Sequence, residues 1–311
     1  MTPQTALGPG PEFDIIRELL ARLGGSAAGI GDDAALLTVP GGERLVVSTD
    51  TAVEDVHFRR EWLTPKEIGF RATVAALSDL AAMGAAPLGV LVGLSAPRGW
   101  IDDLPHVAEG IGEAATVAGV RVVGGDLTAA RDLTIAVTVL GTSAAPVERR
   151  GARPGDSLYV TGTLGGARSA LLALQAGRAV PPAARERFTH PLPRIAEGIW
   201  LAQHGARAMI DISDGLLGDV AHLAAASGVH MVLDLADLPT TPGTMPLDAA
   251  VSGEEYELLA VAPAPLDVAG FACSFGIPLT RIGRVERGSV GVDAYVHGQR
   301  VASPGGFNHF M

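Results

Sequence analysis

Apolar positions along the chain recur with two periods, and their alternation outlines the fold. Residues 12–25, EFDIIRELLARLGG, carry apolar side chains at helical spacing, and two glycines close the run. AALLTVP (34–40) and RLVVSTDTAV (44–53) read as strands around the turn PGGE, a hairpin signal. Thr64-Pro65-Lys66-Glu67 then starts a helix, with a capping hydroxyl, a proline at the first helical position and a glutamate three residues after the cap. That helix runs through IGFRATVAALSDLAAM and stops at Gly84. LGVLVGLSAP (88–97) is a buried-type strand, LPHVAEGIGEAATVAG (104–119) a helix, and VRVVGGD (120–126) and LTIAVTVLGT (133–142) are strands. The first half is therefore strand-helix-strand-helix-strand-strand, a sheet layered with helices.

SAAPVERRGARPGD (143–156) has the small residues, prolines and charges of a linker. Beyond it, SLYVTG, AMIDIS, VHMVLDL, YELLAVAP and YVHGQRVA read as strands. TLGGARSALLALQAG, RIAEGIWLAQHG and GLLGDVAHLAAASG read as helices. The expected fold class is α/β (α+β) in two domains, residues 1–147 and 148–311, and 311 residues is a length that suits this division.

Composition narrows the chemistry. A net charge of -11 argues against a nucleic-acid partner, which calls for a basic surface. No unbroken apolar stretch of about 18 residues occurs, so no membrane span is expected. The N-terminus lacks the basic and apolar regions of a signal peptide. Cys273 is the single cysteine, which excludes an intrachain disulfide and cysteine-based metal sites and suits a cytoplasmic location. Lys66, the single lysine, lies in LTPKEIG, so no Walker A loop is present.

The candidate chemistry lies in acidic clusters at the ends of apolar elements. GIGDDA (29–34) matches a dinucleotide fingerprint by letter, but it precedes a strand and not a helix, so that reading fails. Ser48-Thr49-Asp50 is expected to end a strand, and His57 follows it. Ser78-Asp79 falls in the last turns of a helix, where a carboxylate opposes the helix dipole. Gly124-Gly125-Asp126 is expected to follow a strand, its glycines letting backbone approach a ligand. Asp211-Ile212-Ser213-Asp214-Gly215 opens a helix; Ser213 or Asp214 could cap it, which leaves Asp211 unexplained. Gly253-Glu254-Glu255-Tyr256 has the composition of a solvated turn. Asp33, Asp50, Asp79, Asp126, Asp211 and Asp214 all sit at ends of apolar elements, with Gly, Ser or Thr next to them or two residues away. Hard oxygen donors at this density point to Mg²⁺, and Mg²⁺ to nucleotide-dependent phosphoryl transfer.

The ordered series GIGDDAALL, STDTAVEDVHF, LSDLAAMGAAP, GGDLT, YVTGTLGGA, IDISDGLLGD, GEEYELL and GFNHF resembles the thiamine-monophosphate kinase family, from about residue 12 to the C-terminus. SDLAAMGA and DISDGL are shared with a wider group that includes aminoimidazole ribonucleotide synthetase. The resemblance implies a homodimer that joins N-terminal sheets, and the last step of thiamine diphosphate synthesis from ATP and thiamine monophosphate. It implies Asp33, Ser48, Thr49, Asp50, Asp79, Asp126, Asp211 and Asp214 as ligands of several Mg²⁺ ions. Gly125, Asp126, Arg149 and Ser213 are implied as ATP contacts, and His57, Glu254 and Phe307 as thiamine-phosphate contacts. Two departures stand out: Phe307 replaces a frequent Trp or Tyr, and Glu255 replaces the usual Asp.

The acceptor in such a reaction is a phosphate oxygen, already anionic at pH 7, so no acid–base residue is expected. Direct metal-assisted transfer is the expected mechanism. A different class, a non-catalytic Mg-nucleotide sensor on the same fold, would bind ATP without acceptor-dependent ADP release.

Overall fold

The computed structural model describes residues 17, 32–38, 43–263 and 265–301. Of the stretch read as an N-terminal helix, Arg17 alone is described, and it is helical. Gly29, Ile30, Gly31, the PGG of the expected hairpin turn and Phe307 with its GFNHF segment lie outside the described residues.

The first sheet contains β1 (Ala35–Thr38), β2 (Arg44–Val53), β3 (Ala86–Ala96), β4 (Val122–Ala129) and β5 (Thr134–Ser143) in the order β1-β2-β5-β3-β4. All neighbours are antiparallel except β3 and β4. Strand alternation turns Ile135, Val137 and Val139 of β5 inward. They meet Leu77 and Leu80 of α1 (Pro65–Ala82), which is covered by α2 (Leu104–Val117). The helix starts as its sequence dictates. Thr64 Oγ1 accepts from Glu67 N at 3.2 Å, and Glu67 Oε2 accepts from Thr64 N at 2.8 Å. Gly69 and Gly110 let α1 and α2 cross in backbone contact. A Cβ at Gly69 would lie 2.0 Å from the Val107 carbonyl oxygen, and one at Gly110 would lie 1.9 Å from that of Lys66.

The second sheet has the order β12-β11-β8-β10-β6-β9-β7. Its strands are β6 (Asp156–Thr161), β7 (Ala208–Asp211), β8 (His230–Asp234), β9 (Leu258–Pro263), β10 (Leu279–Glu286), β11 (Gly291–Val296) and β12 (Gln299–Val301). Pairing directions make β6, β7, β8 and β11 parallel to one another, with β9, β10 and β12 opposed. The helices of this half are α3 (Gly166–Gln175), α4 (Pro182–Thr189), α5 (Ile195–Gln203), α6 (Leu216–Ser227), α7 (Pro246–Ala250) and α8 (Val268–Phe275). The sheet is covered on both faces, which is why β6 is buried along its whole length and β9 is an unbroken apolar run. Tyr159 and Ala260 join the core that continues through α1 into the first sheet. Leu158, Val160 and Val261 face α6. The C-terminal end of β7 therefore opens beside α1.

The structure corrects several expectations. Ser48-Thr49-Asp50 lies inside β2, and Gly124-Gly125-Asp126 inside β4, because the ladders extend past the polar residues. YVHGQRVA is a hairpin and not one strand: His297 and Gly298 take φ of +50° and +77°, a two-residue reversal between β11 and β12. β10 was absent from the expected elements. A bulge between Arg281 and Gly283 breaks its two-residue alternation, leaving Leu279, Ile282 and Val285 buried three apart. α4, α7 and α8 were also not foreseen. Residues 143–156, expected as a linker, hold no helix or strand between the end of β5 and the start of β6, yet they are packed against both sides. Val147 and Ala152 are buried, Val147 N donates to Met83 O (3.1 Å), and Met209 N donates to Glu148 O (3.2 Å).

Candidate active site

Three elements bring carboxylates together beside the end of β7. Asp33 comes from the bend before β1, Asp79 from the last turn of α1, and Asp211 is the final residue of β7. Their ligand oxygens lie within 4.8 Å of one another. Hydroxyls support them: Ser48 Oγ donates to Asp79, and Ser78 Oγ donates to Asp211 at 2.7 Å. Arg149 closes the group. Its Nη2 and Nε donate to the two oxygens of Asp33 at 2.6 and 2.9 Å, and its backbone N donates to Asp32 Oδ1 and Oδ2 at 3.0 and 2.9 Å. Arg150 instead pairs with Glu148.

The electrostatics state what the cluster lacks. Burial pushes the Asp211 carboxyl up to about 7, and Asp33 beside it acts the same way. Asp32 is also raised to about 7, by burial and then by Asp33. Asp79 is driven well above the carboxylate range by removal from water, then by Asp211 and Asp33. Burial would lower the pKa of Arg149, but Asp33 and then Asp32 outweigh it and raise it. One arginine leaves the group short of positive charge, and carboxylates this close ionise together when a cation joins them. The donors are all oxygen, so they fit Mg²⁺.

Next to the cluster lies a cavity of about 710 Å³. Its wall carries Asp79, Asp211, Ser213 and Asp214 at one end, and His57, Trp62, Phe188 and Glu254 elsewhere. Thr49 and Asp50 reach it from β2. Thr49 Oγ1 also accepts from Thr138 Oγ1 at 3.0 Å, and Asp50 Oδ1 accepts from Thr51 N at 2.7 Å. His57 Nδ1 accepts from Val53 N at 3.1 Å, which fixes the ring orientation. Neither Ser213 nor Asp214 caps α6; Gly215 is the capping residue, with no side-chain bond. The segment expected as a solvated turn runs beside them. Glu254 N donates to Ser213 O (2.7 Å) and Tyr256 N to Ile212 O (2.9 Å). Glu255 is fully buried and accepts from Gly165 N (2.7 Å), Ala167 N (3.1 Å) and Ser252 Oγ (2.5 Å).

Gly125 and Asp126 are not brought to this cavity. Gly125 aligns with Val92, Val137 and Asp50 across the sheet, three strand spacings or about 14 Å from β2. Its missing Cβ is explained within the chain: a Cβ there would lie 2.1 Å from the Val92 carbonyl oxygen. Several site residues escaped sequence reasoning. Arg71, Trp62, Phe188 and Arg168 sit in segments with no motif character; Trp62, Phe188 and Arg168 line the large cavity, and Arg71 lines a smaller pocket adjoining it. Asp219, one helical turn into α6, is buried, with its Oδ2 unbonded among the described residues. Burial, then Asp214 and Asp211, raise its pKa well above the usual range. Burial, with Arg149 adding to it, lowers His222 to about 4. IDISDGLLGD contained Asp219, but its spacing alone did not separate it from a solvated helix residue.

Family models give the class of protein this fold and site define. Residues 31–143 match the N-terminal domain of AIR synthase related proteins, and residues 153–294 match the C-terminal domain. The chain is 39% identical over 253 residues to thiamine-monophosphate kinase of Mycobacterium tuberculosis, covering 76% of each chain. It is 33% identical over 324 residues to that of Salmonella typhimurium, covering 96% of this chain and 98% of the relative. The solved structure of AaThiL complexed with AMPPCP and TMP superposes with a TM-score of 0.85 at 32% identity, covering 96% of this chain and 97% of that one. The chain belongs to the thiamine-monophosphate kinase family.

Proposed function

We propose that this chain transfers the terminal phosphoryl group of ATP to the phosphate of thiamine monophosphate, giving thiamine diphosphate and ADP. The observation that carries this reading is a single cavity joining a buried carboxylate cluster to a wall of His57, Trp62, Phe188 and Glu254. The family relatives named for this activity support it, as does the neighbour complexed with AMPPCP and TMP. Incubating the purified protein with Mg-ATP and thiamine monophosphate should yield thiamine diphosphate by mass spectrometry. Nucleotide binding without that product would favour the sensor reading.

In the proposed site Asp33, Asp79 and Asp211 hold Mg²⁺, with Ser48, Thr49, Asp50 and Asp214 as further donors around the cavity. Bound Mg²⁺ neutralises phosphate charge and allows two polyanions to meet. Ser213 meets ATP, and Arg149 holds the Asp33 carboxylate in place. Glu254 balances the cationic thiazolium, His57 borders the same ring, and Phe307 adds an aromatic face. The acceptor oxygen forms its bond to the terminal phosphorus of ATP as the bridging oxygen leaves with ADP. No proton has to be removed first, so this reaction calls for no general base. Labelled ATP should leave no phosphorylated protein when acceptor is withheld.

The working unit in this reading is a cytoplasmic homodimer, with a domain boundary at 147/148. No described helix is long and apolar enough to cross a membrane. The exposed edge strand β4, with Val123 at 56% and Leu127 at 63% exposure, supports joining of N-terminal sheets.

A further inference from the structure

Arg71, Ala75 and Asp79 follow one another at four-residue spacing on α1, so they lie along one face of the helix. Asp79 belongs to the carboxylate cluster, and Ala75 and Asp79 both line the large cavity. Arg71 lines a smaller pocket that adjoins it and shares Ala75, Glu254 and Tyr256. Eight residues of helix separate Arg71 from Asp79, about 12 Å along the axis.

Arg71 is buried at 6% exposure, yet its charge is directed at a partly exposed partner. Its Nη2 lies 2.8 Å from Glu254 Oε1, its Nη1 donates to the Phe188 carbonyl, and its guanidinium sits 4.1 Å from the Phe188 ring centroid. Glu254 and Tyr256 are non-glycine residues with φ of +56° and +51°. Such backbone is costly and persists where its surroundings hold it. Here the holders are the Ser213 and Ile212 carbonyls on the backbone side and Arg71 on the side-chain side. An uncompensated arginine at this position would repel a cationic ring. Paired with Glu254, it instead fixes where the carboxylate points.

We infer that the Arg71–Ala75–Asp79 face of α1 measures the acceptor: Arg71 is a positioning residue acting through Glu254, and Ala75 is a specificity residue. Arg71 sets the carboxylate that meets the cationic ring. Ala75 keeps the middle of the floor low enough for the ring body. Asp79 marks the phosphate end. The substrate class is an organic cation carrying a phosphate at a fixed distance from the charge. This inference rests on the acceptor reading given above.

The test measures equilibrium binding of thiamine monophosphate and of Mg-ATP separately, with steady-state kinetics alongside. Arg71→Met should raise the thiamine-monophosphate Kd about tenfold or more and leave the Mg-ATP Kd within about twofold. Arg71→Lys should recover part of that loss. The double variant Arg71→Met with Glu254→Gln should bind no more weakly than Glu254→Gln alone, because one interaction has been removed twice. Ala75→Leu, which disturbs no ion pair, should raise the thiamine-monophosphate KM about tenfold while the ATP KM stays within about twofold. It carries the test if Arg71→Met does not fold. Additive losses in the double variant, or an Ala75→Leu enzyme whose two KM values move together or not at all, would overturn the inference. A wild-type protein that makes no thiamine diphosphate overturns the acceptor reading itself, before any variant is compared.

Discussion

Asp79 combines two opposed roles, and its substitution should separate them. Its carboxyl stands among like charges, out of bulk water, and is strongly raised. Asp79→Asn removes a ligand of the proposed cation but also one of the repelling carboxylates. We expect kcat to fall by about two orders of magnitude or more, while the metal-free protein melts at a higher temperature than the parent. Calorimetry in chelator, paired with an assay in Mg-ATP, reads both outcomes. The same charges give a pH signature. Asp32 and Asp211 titrate at about 7 in the folded chain against a usual value of 3.8. The folded state then binds more protons than the unfolded one across that window. The contribution of these two groups to metal-free stability is therefore fully present below the ordinary carboxylate pKa, falls as pH rises, and is lost above about 7. A cation removes the penalty, so the rise in Tm on adding Mg²⁺ should be larger at pH 8 than at pH 6, by about 3 °C or more. Equal rises at both pH values would contradict a cation at these carboxylates. The three carboxylates of the cluster were legible in the sequence because each stands at the end of an apolar element, Asp33 beside Asp32, Asp79 beside Ser78 and Asp211 two residues before Ser213. Arg71 was not. A buried arginine inside an alanine-rich helix becomes meaningful when Glu254, 183 positions away, is seen against it.

Among the elements, α1 carries the largest share of the site. It presents Ser78 and Asp79 to the cluster, Ala75 to the cavity and Arg71 to Glu254. Its position depends on the crossing with α2 at Gly69 and Gly110. Gly110→Val should cost about 2 kcal/mol or more, since its side chain would enter the Lys66 carbonyl and force the helices apart. Chemical denaturation reads that loss. A matching fall in Mg-ATP turnover is expected, because a displaced α1 misplaces Asp79. The helix itself was legible: a capping box and proline at one end and a glycine at the other mark it by local chemistry. So was β9, whose burial on both faces leaves an unbroken apolar run. Elements defined by non-local contacts were not. The β10 segment LTRIGRVE loses its alternation to a bulge that exists in the ladder with β6. The GGD segment belongs to β4 because β3 extends alongside it, a register no local pattern encodes.

At the scale of the whole molecule, one expected site residue is in the wrong place for a single chain. Asp126 lies on the outer strand of the first sheet, about 14 Å across the ladder from β2 by strand spacing. Every residue of that strand is exposed, including Val122, Val123 and Leu127, and its outer edge is unpaired among the described residues. Exposed apolar edges of this kind are covered in stable proteins. If a second copy covers this one, Gly125 and Asp126 are delivered to the partner's nucleotide while Asp79 serves its own chain. Light scattering should then give about twice 31.8 kDa for the parent protein, and Leu127→Asp should halve that mass and weaken Mg-ATP binding. A sharper outcome follows from mixing two inactive chains. Combine Asp126→Ala chains with Asp79→Asn chains and allow subunits to exchange. In a mixed dimer, one site takes Asp79 from the first chain and Asp126 from the second, both intact, and the other site takes both defects. Half of the dimers are mixed and each has one working site of two, so about a quarter of parental activity should return. Were Asp126 to serve its own chain, both sites of every mixed dimer would carry one defect, and no activity would return on exchange.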